Sequence, residues 1–354
     1  MNTRDIARMR LYSQQIAETN DKRVMETVYR MGAMQAQDYA MAKWAIGLRL
    51  PGATDRTVEE AIAGGTIIRT HVLRPTWHFV AAEDIRWMLA LTAPRLKASL
   101  AGRHRRLELS PTVIRKSHRI LEKALSEGEH LTREALLSRL EKAKIATTDV
   151  RGSHLLLSAE LEGILCSGAT KDKKITYALL AERVPETRAL DRDEALAMLA
   201  ERYFSSHGPA TVADFSWWSG LSGTEARKGL DFVQHSFLSE KVGDDTYWFP
   251  PEVVAPAKKA KPSVYLLPAF DEYIIGYKDR KAVLPSGHQR RAISNNGIFW
   301  PVVVVNGQVT GIWKRTLKKN GVDILPEFFD PDARIDPRRL KAAKEAFVRF
   351  LMTA

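Results

Sequence analysis

Apolar and polar positions along this chain follow a helical rhythm and then a strand rhythm, and the order repeats. Between Arg192 and Pro250, Ala195, Leu196, Met198, Leu199 and Phe204 predict a helix over Arg192–Ser205. His207-Gly208-Pro209 breaks it. Thr211–Trp218 follows as a second short helix with Thr211 at its N-cap. Gly220-Leu221 turns the chain into a third, Thr224–Gln234, and Ser222 and Glu225 stand at capping-box spacing. Phe237–Val242 and Tyr247–Phe249 flank Gly243-Asp244-Asp245, a hairpin signal. Helices closed by a strand pair are the order of a winged helix. Its third helix, here carrying Arg227 and Lys228, has the shape that enters a DNA major groove. Such modules also serve as protein-binding units, so the pattern alone leaves both uses open.

Two earlier stretches repeat the order. A helix over Arg133–Leu140, a helical run from Asp149 to Leu165 and an apolar strand over Ile175–Leu180 form one. Helices around Asp5–Ala17, Arg23–Met34 and Thr57–Ala63 and a β-rich segment from Ile67 to Val80 form the other. After Ala255–Lys261, read as a linker, β-branched runs take over at Val264–Leu267, Tyr273–Ile275, Val302–Val305, Val309–Trp313 and Ile324–Phe328. Asn306-Gly307 marks a hairpin, and an amphipathic helix spans Asp336–Met352. The expected fold is α+β, with three tandem winged-helix modules, a β-rich, barrel-like domain and a terminal helix. The expected division is 1–94, 95–185 (a basic linker helix and the second module), 186–254 and 255–354.

Charge narrows the partners. Lys and Arg number 54 against 42 Asp and Glu, a net charge of +12 over 354 residues. Phosphates are the natural counterpart, because each contact releases condensed counterions. The cations cluster over Arg95–Lys123, Lys278–Arg291 and Lys314–Lys319, although any single run also reads as a solvated face. No apolar run is long enough to span a bilayer, and Met1–Asp5 starts no secretory leader, so a cytoplasmic protein is expected. The single cysteine, Cys166, forms no intramolecular disulfide and reads as a small apolar residue in a helical segment. Cys/His clusters, phosphate-binding glycine loops, dinucleotide fingerprints and nucleophile elbows are missing, and no metal or cofactor is expected.

One polar segment stands apart: Met34-Gln35-Ala36-Gln37-Asp38. Residues two apart share a side only in extended chain, so Gln35 and Gln37 converge only if the helix ends here, and Asp38-Tyr39 reads as that ending. Paired carboxamides orient a water but are not bases, which restricts them to chemistry with an activated leaving group. The alternative is an ordinary polar helix end. Arg69 and Arg74 lie in an otherwise apolar stretch, as phosphate contacts or as internal ion pairs. His78 reads as a core histidine, and Trp217-Trp218 as core rather than a stacking pair. Asp271, Tyr273 and Tyr277 fit an active-site wall or packing and turns equally.

Gln35-Ala36-Gln37-Asp38 resembles the Gln-x-Gln element of the AlkZ-like winged-helix DNA glycosylases, a group with YcaQ-type members carrying Gln-x-Asp. The segments Ile68–His78, Leu266–Arg280 and Val303–Trp313 are also similar to that family and fall in the family's order. Pro75 departs from it, where a glycine is expected, and alters the local loop. The resemblance implies a C-shaped array of three winged helices with the glutamine pair on its concave face. It also implies removal of alkylated bases and, in some members, opening of interstrand crosslinks. The expected function is a monomeric, monofunctional glycosylase acting on N3- or N7-alkylated purines in double-stranded DNA. Gln35 and Gln37 are its catalytic pair, and Arg69, Arg74, Lys278, Arg280, Arg290 and Arg291 its DNA contacts. The alternatives are a non-catalytic winged-helix DNA-binding or regulatory protein, and a relative with altered activity.

Overall fold

The computed structural model describes residues 1–318 and 321–352, so Lys319 of the third basic run lies outside the described residues. Asn2 accepts the N–H groups of Arg4 and Asp5 while Asp5 reaches back to Asn2, and this capping box opens α1 (Thr3–Ser13). α2 (Val24–Met31) stops at Gly32, whose φ of 73° a side chain would resist. Two extended residues, β1 (Met34–Gln35), lead through a bend to α3 (Tyr39–Arg49), which Asp38 caps through the Met41 N–H. The expected helix over Arg23–Met34 is thus cut short by Gly32. The helix α3 was not expected, because it is buried on nearly every side and shows no polar stripe. α4 (Asp55–Ala63) carries the chain out of a first unit, Met1–Val58 with Leu196–Ala354, into a second, Glu59–Ala195.

The second unit begins with an antiparallel hairpin, β2 (Ile67–His71) and β3 (Trp77–Ala81), in register from Ile67↔Ala81 to His71↔Trp77. α5 (Ile85–Arg106) and α6 (Pro111–Leu125) follow, then β4 (Leu131–Thr132), α7 (Arg133–Lys142), α8 (Arg151–Leu161), β5 (Leu165–Ser167), β6 (Thr176–Leu179) and α9 (Leu180–Arg183). The small sheet runs β4-β6-β5. Leu121, Leu125, Leu136, Leu140, Leu155 and Leu156 form its core with the helices. The helical run expected to reach Leu165 ends at Leu161, because Gly163 takes a φ of 68°. Cys166 therefore lies on a strand, not a helix.

α10 (Arg192–His207) returns the chain to the first unit, followed by α11 (Val212–Ser219), α12 (Gly223–Val233), β7 (Leu238–Val242) and β8 (Asp245–Phe249). The caps at Thr211 and Ser222 form as the spacing predicts. α13 (Val254–Lys258) replaces the expected linker, since Ala257 packs with Met9 and Phe249. Beyond it lie β9 (Val264–Leu267), α14 (Glu272–Ile275), α15 (Gln289–Ala292), β10 (Val302–Val305), β11 (Gln308–Lys318), β12 (Gly321–Phe328) and α16 (Pro337–Met352). Tyr273–Ile275, expected as strand, is helical because Asp271 caps that turn through the Tyr273 N–H. The four strands make an antiparallel sheet in the order β12-β11-β10-β9. Its first and last strands are edges, so among the described residues the sheet is open rather than barrel-like. Asn306 and Gly307, at φ 51° and 87°, turn β10 into β11. Leu11, Leu267, Tyr273, Leu284, Val302 and Val304 are part of the core beneath the sheet.

Candidate active site

Gly32 and Asp38 bracket the glutamine pair. A Cβ on Gly32 would sit 3.4 Å from the Trp218 ring, so glycine here both turns the chain and admits that indole. Gln35 is 5% exposed, on β1; Gln37 is exposed, in the bend before α3. Asp38 spends its carboxylate on the α3 N-terminus, accepting the Met41 N–H at 3.1 Å. It thereby meets the positive end of that helix dipole. Lys43, one turn further along α3, is buried and held by Asp55 at 2.8 Å.

Beneath the pair lies a buried polar network that the sequence did not reveal. The Gln35 N–H donates to Glu272 Oε1 at 2.7 Å. Trp218 Nε1 donates to Glu272 Oε2 at 3.0 Å, and His207 Nε2 lies 3.4 Å from the same oxygen. Glu272 is 1% exposed. Its neighbour Asp271 takes both terminal nitrogens of Arg49 at 2.9 Å, at the far end of α3. Arg49 also donates to Gln14 Oε1 at 2.5 Å, Gln14 Nε2 to the Tyr277 hydroxyl at 3.0 Å, and that hydroxyl to the His207 carbonyl at 2.7 Å. Burial holds the His207 imidazole below the usual histidine range, against the opposing pull of Glu272. Burial also raises the Tyr277 phenol. The signal for this network was two adjacent carboxylates inside an apolar segment, since buried charges require partners.

Tyr273 and Tyr277 are fully buried. The Tyr273 hydroxyl bridges the carbonyls of Ala7 and Gly307 at 2.8 Å, a packing role that leaves no group for a substrate wall. The tryptophan pair divides. Trp218 is core at 0% exposure, whereas Trp217 is 44% exposed, with its Nε1 on the Ile275 carbonyl and the Arg280 guanidinium 5.4 Å from its ring. Lys278 and Arg290 are exposed. Arg280 is half-buried and donates to the Ile274 carbonyl, and Arg291 donates to the carbonyls of Phe329 and Phe328. In the second unit Arg69 is buried with its guanidinium 4.3 Å from the Trp77 ring centre, Arg74 is half-buried in the β2–β3 loop beside exposed Pro75, and His78 is buried. His71 pairs with Glu160 there. Among the described residues no cluster of His, Cys, Asp and Glu has the makings of a metal site. No helix among them is long and apolar enough to cross a membrane.

The family model described as DNA glycosylase AlkZ-like matches residues 28–350, a span that includes both glutamines and Glu272. The chain belongs to the AlkZ-like DNA glycosylases. A curated member from Streptomyces sahachiroi, named an interstrand DNA cross-link repair glycosylase, is 25% identical over 329 residues, which cover 88% of this chain and 87% of that one. The solved AlkZ structure from the same organism superposes with a TM-score of 0.78 at 22% identity, covering 99% of this chain and 98% of that chain. The mixed α/β fold of this AlkZ-like chain is therefore that of the solved protein. An AlkZ-like enzyme acts on N-glycosyl bonds, with DNA as the partner.

Proposed function

We propose that this AlkZ-like enzyme hydrolyses the N-glycosidic bond of purines alkylated at N3 or N7, with Gln35 and Gln37 as its catalytic residues. The observation that carries the reading is the glutamine pair itself. Its first member is buried and braced from below, its second is exposed two residues on, and both stand where α2 has ended and α3 begins. Alkylation at N3 or N7 makes the base cationic, and it leaves as a neutral group without an acid. What remains to be supplied is a positioned water and negative potential beside C1′ as the sugar becomes an oxocarbenium ion. Two carboxamide oxygens serve both needs. Lys43 is engaged with Asp55, which fits hydrolysis by water rather than attack by an amine, so the product is an abasic site on an uncut strand. The same cationic base occurs in crosslinks joined through N7 of guanine, and the name of the Streptomyces sahachiroi relative, an interstrand DNA cross-link repair glycosylase, supports extending the reading to them.

We read the helix-and-hairpin orders of α7–β6 and α10–β8, with the N-terminal segment, as three winged-helix modules that bind the duplex. Lys278 and Arg290 neutralise phosphates directly, since they are exposed. Arg69, Arg74 and Arg280 contribute from positions more fixed by packing, and Arg291, also exposed, from one tied to the carbonyls of Phe328 and Phe329.

The test is single-turnover incubation with duplex DNA carrying one N7-methylguanine, then alkaline cleavage at abasic sites. Gln35→Ala and Gln37→Ala should each slow excision about 10- to 1000-fold, with DNA affinity little changed, because their interactions strengthen only in the transition state. The double variant should be little worse than the slower single one, since both act on one water. Excision by the double variant at the parental rate would remove the catalytic assignment.

A further inference from the structure

The AlkZ-like reading accounts for the glutamine pair but not for the acidic pair beneath it, Asp271-Glu272. Burying two adjacent carboxylates is costly unless every oxygen is used, and here every oxygen is. Asp271 fills both of its oxygens with Arg49. Glu272 divides its own unequally: Oε2 faces the indole N–H of Trp218 and the imidazole of His207, and Oε1 faces the backbone N–H of Gln35. That last contact, at 2.7 Å, joins residues 237 apart in sequence, and its donor belongs to the backbone of the first catalytic glutamine. The two carboxylates thus hold the segment at both ends. Glu272 fixes the strand on which Gln35 stands, and Asp271, through Arg49, fixes the end of the helix that begins just after Gln37.

We infer that Glu272 is a positioning residue for excision, acting through the backbone of Gln35 to set where the two carboxamides stand. It touches no substrate. The inference rests on the proposed role of Gln35 and Gln37. A displacement of about 1 Å in a group that aims a nucleophile costs on the order of 100-fold in rate. Glu272→Gln is the informative change, because it is nearly isosteric and has one acceptor oxygen in place of two. In the tautomer that places the His207 proton on Nε2, the amide oxygen goes to the side with two donors, Trp218 and His207, which turns the amide NH₂ against the Gln35 N–H. The grip on the strand is then lost while the rest of the cluster keeps a partner.

The experiment measures single-turnover excision of N7-methylguanine with saturating protein, recording rate constant and amplitude separately, alongside duplex affinity and thermal melting. For Glu272→Gln the rate constant should fall about 10- to 100-fold at full amplitude. Affinity should stay within about 2-fold, since the phosphate contacts are elsewhere. A merely structural residue would lower the melting temperature and leave the rate constant at saturating protein unchanged; that result overturns the inference. In the Gln35→Ala, Gln37→Ala background, Glu272→Gln should slow excision no further, and an additional multiplicative loss there also overturns it. If Glu272→Gln does not fold, Glu272→Asp, which keeps the charge but shortens the reach to Gln35, is judged by the same measurements. Failure of both to fold assigns Glu272 to stability alone. If instead the double glutamine variant excises at the parental rate, the catalytic assignment itself has failed, and this is distinct from a slow glutamine variant beside an unchanged Glu272→Gln.

Discussion

Gln35 and Gln37 are the same residue type in different surroundings. The first is sealed in and held by its own backbone N–H; the second is open to whatever approaches. Substitution at Gln35 therefore removes a side chain from a fixed strand, and substitution at Gln37 removes one from a bend. Cys166 is the opposite case, a reactive type made inert by its surroundings. It is fully buried on β5, and burial pushes its thiol up to about 12. A maleimide should not label the folded protein at pH 8 and should label it at once in denaturant. Cys166→Ala should excise at the parental rate. Rapid labelling of folded protein would show that β5 opens in solution.

Among the elements, α3 bears most directly on the site and was the one least legible in the sequence. Lys43, Trp44, Ala45, Ile46, Gly47 and Arg49 together point all round the helix and are all buried, so no amphipathic stripe marks it. The caps at Thr211 and Ser222, the Asn306-Gly307 turn and the terminal helix were legible because each is a local signal, set by neighbours three or four residues away. The same holds for Gln35-Ala36-Gln37-Asp38 as a motif. Glu272 under Gln35 and Arg49 on Asp271 were not legible, because those partners are distant along the chain and meet only when it has folded. Asp38 connects element to chemistry. As the α3 cap it is needed chiefly for its oxygen, its charge adding a smaller contribution against the helix dipole. Asp38→Asn should keep stability and keep excision within about 3-fold, and Asp38→Ala should cost about 1 kcal/mol of stability in a denaturant titration. A loss in Asp38→Asn equal to that in Gln37→Ala would assign the carboxylate to C1′ instead.

At the scale of the molecule, two consequences follow from charge. Affinity for undamaged duplex should fall steeply with salt, and Arg290→Ala should reduce the slope of log affinity against log salt by about 1 for every sequence tested. Arg291→Ala should also lower the melting temperature, because its guanidinium ties down the carbonyls of Phe328 and Phe329. A flat salt response would be at odds with a phosphate-governed interface. The second consequence concerns protons. Burial depresses His207 in the first unit and His104, His118, His130 and His154 in the second below the ordinary 6.5. A depressed histidine leaves the native state with fewer protons than the unfolded chain. Its stabilisation is complete above 6.5 and is lost as pH falls toward the folded value. Melting temperature should be level from pH 7.5 to 7 and decline from 6.5 to 5; a rise on acidification would contradict the neutral His207.

The first unit is written in two pieces, residues 1–58 and 196–354, with the whole of the second unit between them. A ribosome therefore delivers Gln35 early and its brace, Glu272, 237 residues later. At typical synthesis rates of about 5–20 residues per second, that interval lasts tens of seconds. Throughout it the glutamines exist without the carboxylates that hold their strand. On the proposed roles of Gln35 and Gln37, a chain abandoned before Glu272 carries the glutamine motif without the carboxylate that braces it. For an enzyme that takes bases out of DNA, the brace that aims those glutamines comes only after the whole of the second unit has been made.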